Sequence, residues 1–140
     1  MFGHGFTYSG HPVGAAVGLV NLEIMEEENL ISNAAKIGPY LKKSLVGRLG
    51  GHPNIGQIRG EGLMIGVEYC AGRNSKEAPE MSPPAHKQVA MAAQERGLLT
   101  RALPFLPVNS FSPPLTFTKA DADETVDIFV DSVESVFGKG

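Results

Sequence analysis

The residues best suited to chemistry lie at the start of the chain, in a stretch of glycines and hydroxyl side chains. Its sequence is Phe2-Gly3-His4-Gly5-Phe6-Thr7-Tyr8-Ser9-Gly10-His11-Pro12. Thr7 and Ser9 can each donate a hydroxyl, and glycine lets the backbone approach a ligand closely because it lacks Cβ. Pro12 marks a helix N-terminus, where its missing N–H costs nothing. Such a terminus carries unpaired amides and partial positive charge, so the stretch is suited to phosphate or carboxylate.

The same residue types also form ordinary turns that bind nothing. The glycine spacing matches neither of the glycine-rich nucleotide-binding motifs. Local chemistry therefore leaves two interpretations open, an anion-binding loop and a plain turn.

A longer segment that contains this stretch, HGFTYSGHPVGAAVGLVNLEIMEEENL, closely resembles a signature of the class III pyridoxal-phosphate aminotransferases, or omega-aminotransferases. The resemblance continues through IGQIRGEGLMIGVEY, GLLTRAL and SFSPPLTFTKADAD, and so covers almost the whole chain. It implies that Thr7, with Phe6 beside it, contacts the phosphate of pyridoxal 5'-phosphate bound to the neighbouring subunit of a homodimer. It also implies the C-terminal part of a fold type I enzyme, with residues 1–28 ending the large domain and residues 29–140 forming the small domain.

Arg101 is the second residue to which the resemblance gives a role. A planar guanidinium binds a carboxylate through two parallel hydrogen bonds, and several omega-aminotransferases have a substrate-binding arginine at the matching place. Here the segment between Arg101 and Pro113 is longer than is usual in the family and includes an apolar insert, residues 103–107. Substrate binding and a surface or salt-bridging role therefore both stay open for Arg101.

The imine-forming lysine of a transaminase has no counterpart in this chain, because none of its lysines has the family context. We therefore assign no catalytic residue and expect the segment alone to be inactive. In the complete enzyme the resemblance implies transfer of an amino group between an amine or amino acid and a keto acid. A related pyridoxal-phosphate aminomutase or decarboxylase, and a non-catalytic α/β module, remain alternatives.

Composition excludes several other classes of protein. The net charge of −3 gives no electrostatic reason to bind nucleic acid. No apolar run is long enough to span a membrane and no basic-then-apolar leader is present, so we expect a cytoplasmic protein. The histidines are scattered and lack metal-ligand spacing with the single cysteine, Cys70, so no metal site is predicted; they are His4, His11, His52 and His86.

Periodicity and turn residues predict the order of elements. We expect a helix over 12–28, a second over 30–49 that Pro39 kinks or interrupts, and paired strands over 55–62 and 63–70. A mobile loop (71–82), a helix ending near Gly97, strands over 98–101 and 108–111, and a final helix capped by Thr118 and Asp121 follow. The slim first helix suggests tight packing, either on a second subunit or within this chain. This order predicts an α/β fold with a small antiparallel sheet covered by helices.

Overall fold

The computed structural model describes residue 3 and residues 5–140, and this part of the chain has helices on a four-stranded sheet. Phe2 and His4 of the opening stretch lie outside the described residues. The helices are α1 (Pro12–Glu27), α2 (Leu30–Leu49), α3 (Ala85–Glu95) and α4 (Lys119–Phe137). The strands are β1 (Ile55–Glu61), β2 (Met64–Tyr69), β3 (Arg101–Ala102) and β4 (Val108–Phe111). None of the helices within these residues is both long and apolar enough to cross a membrane.

The strands lie in the order β1-β2-β4-β3, and every neighbouring pair is antiparallel. Gly60, near the end of β1, and Gly62, in the tight β1–β2 turn, have positive φ angles of 152° and 52°, a region that favours glycine. The predicted α/β class and the β1–β2 hairpin are thus confirmed.

The hydrophobic core lies on one face of the sheet. Along β2, Ile65, Val67 and Tyr69 are buried while Met64 is 72% exposed, which is the period-2 alternation expected of a half-covered strand. Leucines of α2 and apolar residues of α3 and α4 pack against this buried face. The Phe111 and Phe129 rings meet edge to face with centroids 4.8 Å apart, joining β4 to α4.

The predicted capping box of α4 is confirmed. The Thr118 hydroxyl accepts a hydrogen bond from the Asp121 backbone N–H at 3.2 Å, and the Asp121 carboxylate accepts from the Thr118 N–H at 2.8 Å. The Thr118 hydroxyl also lies 2.7 Å from the Asp121 carboxylate, and the hydrogen bonds that this carboxylate accepts from the hydroxyl and the backbone N–H of Thr118 lower the pKa of Asp121.

Of the two effects predicted for Pro39, a kink or an interruption of the second helix, the interruption is wrong, because α2 runs unbroken from Leu30 to Leu49. Proline inside a helix costs about 3 kcal/mol. Leu41, Leu45 and Leu49 are almost fully buried on the same helix, and each contributes about 1.5–3 kcal/mol. Tertiary burial therefore outweighs the local penalty.

The strand predicted over residues 98–101 is also corrected, since β3 covers only Arg101 and Ala102. Helix α3 ends in a Schellman motif, in which Leu98 N–H donates to the Ala93 carbonyl across Gly97 (φ 90°). Arg101 pairs with Ser110, so a longer ladder would set Leu98 opposite Pro113, which has no N–H to donate. The helix end and this proline limit the strand from both sides.

Helix α1 does not pack into the core of this chain. Within the described residues none of its side chains is buried, and apart from the adjacent backbone of α1 itself no atom lies within 4 Å of a Cβ built at Gly14 or Gly18. Of its two predicted environments, packing within this chain is wrong for the residues that the structure describes. The acidic run Glu26–Glu28 is exposed, as expected. Asn29, with φ 53°, then turns the chain from α1 into α2.

Candidate functional site

The loop before α1 consists of consecutive turns that lead directly into the helix. Ser9 N–H donates to the Phe6 carbonyl at 3.0 Å, and His11 N–H donates to the Tyr8 carbonyl at 3.2 Å. The Ser9 hydroxyl accepts from the Phe6 N–H at 3.2 Å, and Gly10 has a positive φ of 72°. Pro12 is at the first position of α1, as predicted. The loop is therefore stabilised locally, because its turns form hydrogen bonds to nearby backbone groups.

Thr7 lies within the first of these turns, at an exposed position of the loop. Its hydroxyl has no hydrogen-bond partner among the described residues, whereas the neighbouring Ser9 hydroxyl is used within the turn. Phe6 is 72% exposed beside it. The loop thus presents a hydroxyl donor to the outside at the positive end of a helix, a geometry that suits an anion supplied from outside this chain.

Arg101 lies elsewhere, at the rim of a pocket of about 460 Å³ near the β3 edge of the sheet. The pocket is formed by residues from both helices and strands: Leu41, Leu98, Leu99, Thr100, Arg101, Ser110, Phe111, Ser112, Pro113, Pro114, Phe117 and Thr125. Arg101 is exposed and forms no ion pair with any described carboxylate. A surface salt-bridging role therefore finds no support in this part of the chain.

The pocket combines apolar walls with a few hydroxyls. The Thr100 hydroxyl donates to the Ser110 carbonyl at 3.2 Å and so fixes the residue before Arg101. Sequence reasoning missed Thr100 and Ser110. The sequence signal that could have indicated them is the SFSPP run at the last strand. Its prolines end the β-ladder, so polar groups beside them lack ladder partners.

The structure does not bring all the predicted residues into one cavity. Phe6 and Thr7 precede α1, and neither lines the pocket that contains Arg101. No lysine lines that pocket either. Lys42 instead donates to the Gly60 carbonyl at 3.1 Å, and Lys119 pairs with Asp123 at 3.3 Å.

Arg59 has a structural role on the sheet surface. It forms an ion pair with Glu68 on the neighbouring strand and donates to Gln57 at 3.0 Å. Among the described residues there is no group of three or more histidine, cysteine or acidic side chains placed to hold a metal ion.

A series of buried hydrogen bonds between polar groups crosses the sheet beneath α3. The Tyr69 hydroxyl donates to the Asn109 side-chain oxygen at 2.7 Å, and the Asn109 amide donates to the His86 carbonyl at 3.1 Å. Burial raises the pKa of Tyr69 well above its usual value, so the phenol remains a donor. One sequence signal indicates the burial of His86, namely its helical spacing from Val89 and Ala93.

Comparison with known proteins identifies the family. The model of the class III aminotransferases matches residues 1–133. The chain belongs to this family. An uncharacterized aminotransferase of Sinorhizobium fredii is 39% identical over 135 residues, which are 96% of this chain and 29% of that protein. The diaminobutyrate–2-oxoglutarate transaminase of Halomonas elongata is 40% identical over 124 residues, 89% of this chain and 26% of that protein.

A solved structure of the same family shows the same fold. The (S)-enantioselective omega-transaminase of Thermomicrobium roseum superposes with a TM-score of 0.87 at 39% identity, covering 98% of this chain and 30% of that one. The chain therefore spans less than a third of the length of these relatives. Class III aminotransferases depend on pyridoxal phosphate, which supplies the electron sink for reactions at the carbon that bears the amino group.

Proposed function

We propose that this chain is the C-terminal portion of a pyridoxal-phosphate-dependent class III transaminase. The complete enzyme moves an amino group between an amine or amino acid and a keto acid, acts as a homodimer and is cytoplasmic. The observation that carries the proposal is the loop before α1, which presents the unpartnered Thr7 hydroxyl outward at a helix N-terminus. In this proposal the chain supplies binding groups, and the imine-forming lysine comes from the rest of the protein.

Thr7 and Phe6 hold the cofactor in this proposal. A hydroxyl that donates to a phosphate dianion forms a charge-assisted bond, stronger than one between neutral groups. The turn that contains Ser9 keeps Thr7 at this exposed position of the loop, and Phe6 adds apolar contact beside it. The positive end of α1 adds attraction for the phosphate.

Arg101 binds the substrate carboxylate in this proposal. Its guanidinium is free of the described carboxylates and lies beside an apolar wall that includes Leu99 and Phe111. A carboxylate paired with the guanidinium would leave the remainder of the substrate against that wall. This arrangement orients the substrate and requires no proton transfer by Arg101, which stays charged.

The different environments of the two parts of the chain support a dimer and a domain division. Residues 29–140 include the buried core, whereas α1 has no buried residue among those described. Val13, Val17 and Val20 are more than half exposed on it. We propose that residues 1–28 belong to the large domain and that the second subunit covers α1, which places Thr7 near the partner's cofactor.

Substitution of Thr7 in the complete enzyme tests the proposal. Loss of one charge-assisted hydrogen bond costs about 1.5–3 kcal/mol, so Thr7→Ala should weaken cofactor affinity by about ten- to a hundredfold. Turnover at saturating cofactor should change little, because phosphate anchoring takes no part in proton transfer. Thr7→Ser, which keeps the hydroxyl, should retain most of the affinity. Equilibrium dialysis against pyridoxal phosphate measures all three proteins.

A heterodimer decides whether the hydroxyl acts on the partner subunit. One subunit has Thr7→Ala and the other lacks the imine-forming lysine. The single imine-linked cofactor then lies in the Thr7→Ala subunit and receives its threonine from the partner, so it should bind normally. If the heterodimer loses cofactor as readily as the Thr7→Ala homodimer, the hydroxyl acts within its own subunit or has no such role.

A further inference from the structure

His86 is a buried histidine that none of the proposed cofactor or substrate contacts involves. It is 6% exposed at the second position of α3, and neither ring nitrogen has a hydrogen-bond partner among the described residues. A buried polar group without a partner is uncommon in folded proteins and costs stability. The environment of the imidazole ring therefore favours its neutral form, because the ring nitrogens form no hydrogen bond with a described group.

The surroundings of His86 oppose a positive charge in several ways. Burial and the nearby Lys87 ammonium lower the pKa of His86, and the backbone of Leu103 offsets this only in part. No described carboxylate contributes to the shift. Asn109 on β4 and Tyr69 on β2, which continue the series of buried hydrogen bonds, are uncharged. The positive end of α3 adds to the penalty, because a cation is unfavourable at a helix N-terminus.

His86 also joins α3 to the β3–β4 hairpin. Its carbonyl accepts the Asn109 amide, and Asn109 pairs with Ala102 in the sheet, next to Arg101. The hairpin tip is held by the bond from Leu103 N–H to the Val108 carbonyl at 2.9 Å. The residues at the tip pack poorly, since Phe105 is 93% exposed. β4 is anchored by its ladder with β2 and by the contact of Phe111 with Phe129. β3 lies at the edge of the described sheet and pairs with β4 alone, so β3 and the tip, residues 101–106, are the part of the hairpin that depends on the junction with α3.

We propose that His86 is a proton-sensitive latch, whose protonation in mildly acidic solution releases β3 and the hairpin tip, residues 101–106, from α3 and so displaces Arg101. A protonated ring gains hydration only if the junction opens to water. The solvated ring takes up a proton near its ordinary pKa of about 6.5, whereas the buried ring does so only at lower pH. Stability of the closed hairpin is therefore full above that ordinary value and falls as the pH drops below it. The inference concerns the hairpin and does not require Arg101 to bind substrate.

Hydrogen exchange read by mass spectrometry tests the latch in the full-length protein. Protection factors, which correct for the intrinsic effect of pH on exchange, are compared at about pH 7.5 and pH 5.5, either side of the ordinary histidine pKa. Protection of the peptides covering 99–106 should fall at the lower pH, by at most about tenfold per pH unit for one proton. Protection of the buried half of α2 should stay constant. Equal hairpin protection at both pH values would overturn the proposal.

Matched variants identify the group that titrates. His86→Leu is apolar and takes no proton, so its hairpin should be equally protected at both pH values. His11→Gln removes an exposed histidine and should keep the wild-type response. If the response persists in His86→Leu, or disappears in His11→Gln, His86 is not the latch.

A measurement on the wild-type protein tests the proposal even if His86→Leu does not fold. Exchange of the imidazole C2 hydrogen, followed residue by residue, gives the pKa of each histidine. The pKa of His86 should lie below the ordinary histidine value. A pKa at or above that value would overturn the proposal whatever the variants show.

Discussion

At Arg101 and Thr7 the chain leaves strong hydrogen-bond donors at its surface without partners in the described residues. Some charged side chains at the surface are paired: Arg48 binds Asp127 at 2.9 Å, Arg59 binds Glu68, and Lys119 binds Asp123. Others, such as the exposed Lys36 and Lys43, have no partner among the described residues. Exposed ion pairs contribute little stability, so pairing alone does not identify a binding residue. Thr7 and Arg101 differ from these lysines because the family resemblance implies a ligand for each.

Substitution of Arg101 should change acceptor selectivity in the complete enzyme. Arg101→Met removes the charged donor, and loss of a hydrogen bond to a charged group costs about 1.5–3 kcal/mol. The kcat/KM for a keto acid should therefore fall about ten- to a hundredfold, while that for an aldehyde of similar size should change little. Steady-state kinetics with both acceptors measure the difference. Arg59→Met, an arginine outside the pocket, is the control and should leave the keto acid to aldehyde ratio unchanged; an equal loss for both acceptors in Arg101→Met would contradict carboxylate binding.

Among the elements, α2 shows most clearly how packing sets local sequence requirements. Gly38 is buried on this helix against the β1–β2 turn, and a Cβ built there would lie 2.2 Å from the Gly62 carbonyl oxygen. Gly47 is on the same helix with no atom within 4 Å of its Cβ position among the described residues. The two glycines have the same intrinsic helix propensity but opposite surroundings.

Alanine at these two positions should therefore have opposite effects on stability. Gly38→Ala forces the helix and the turn apart, and overpacking of this kind costs about 1–3 kcal/mol. Gly47→Ala should stabilise the protein by up to about 1 kcal/mol, because alanine has the better helix propensity. Urea unfolding gives both free energies. A Gly38→Ala protein as stable as wild type would show that α2 does not lie this close to the turn.

For the whole molecule, the most prominent feature is an apolar helix that its own core does not use. Val13, Val17, Val20 and Ile24 lie on one face of α1 at helical spacing, and all are exposed. Large exposed apolar patches mark interaction surfaces. The cavity of about 600 Å³ between α1 and α2, lined by Leu22, Met25 and Ile31 among others, extends this surface.

The chain produced on its own should self-associate through α1. Sedimentation velocity at tens of micromolar, about the range where weak interfaces are populated, should show dimers or larger species. Glutamate at Val13, Val17 and Val20 together should restore the monomer, since three charges cannot be buried without partners. Val46→Glu, at an exposed position on α2, should leave association unchanged. A clean monomer for the wild-type chain would contradict the prediction.

The sequence by itself determined the features that depend on neighbouring residues. The capping box of Thr118 and Asp121, the pairing of β1 with β2 and the alternation along β2 are all local, so they were predictable. The family was likewise readable from Phe6, Thr7 and the segment that follows them. The tertiary structure decided what depends on distant contacts. Burial of three leucines keeps α2 continuous through Pro39, Pro113 opposite Leu98 shortens β3, and α3 with the β3–β4 hairpin encloses His86. In each case burial or register, fixed only when separate elements meet, outweighs the local preference of the residue.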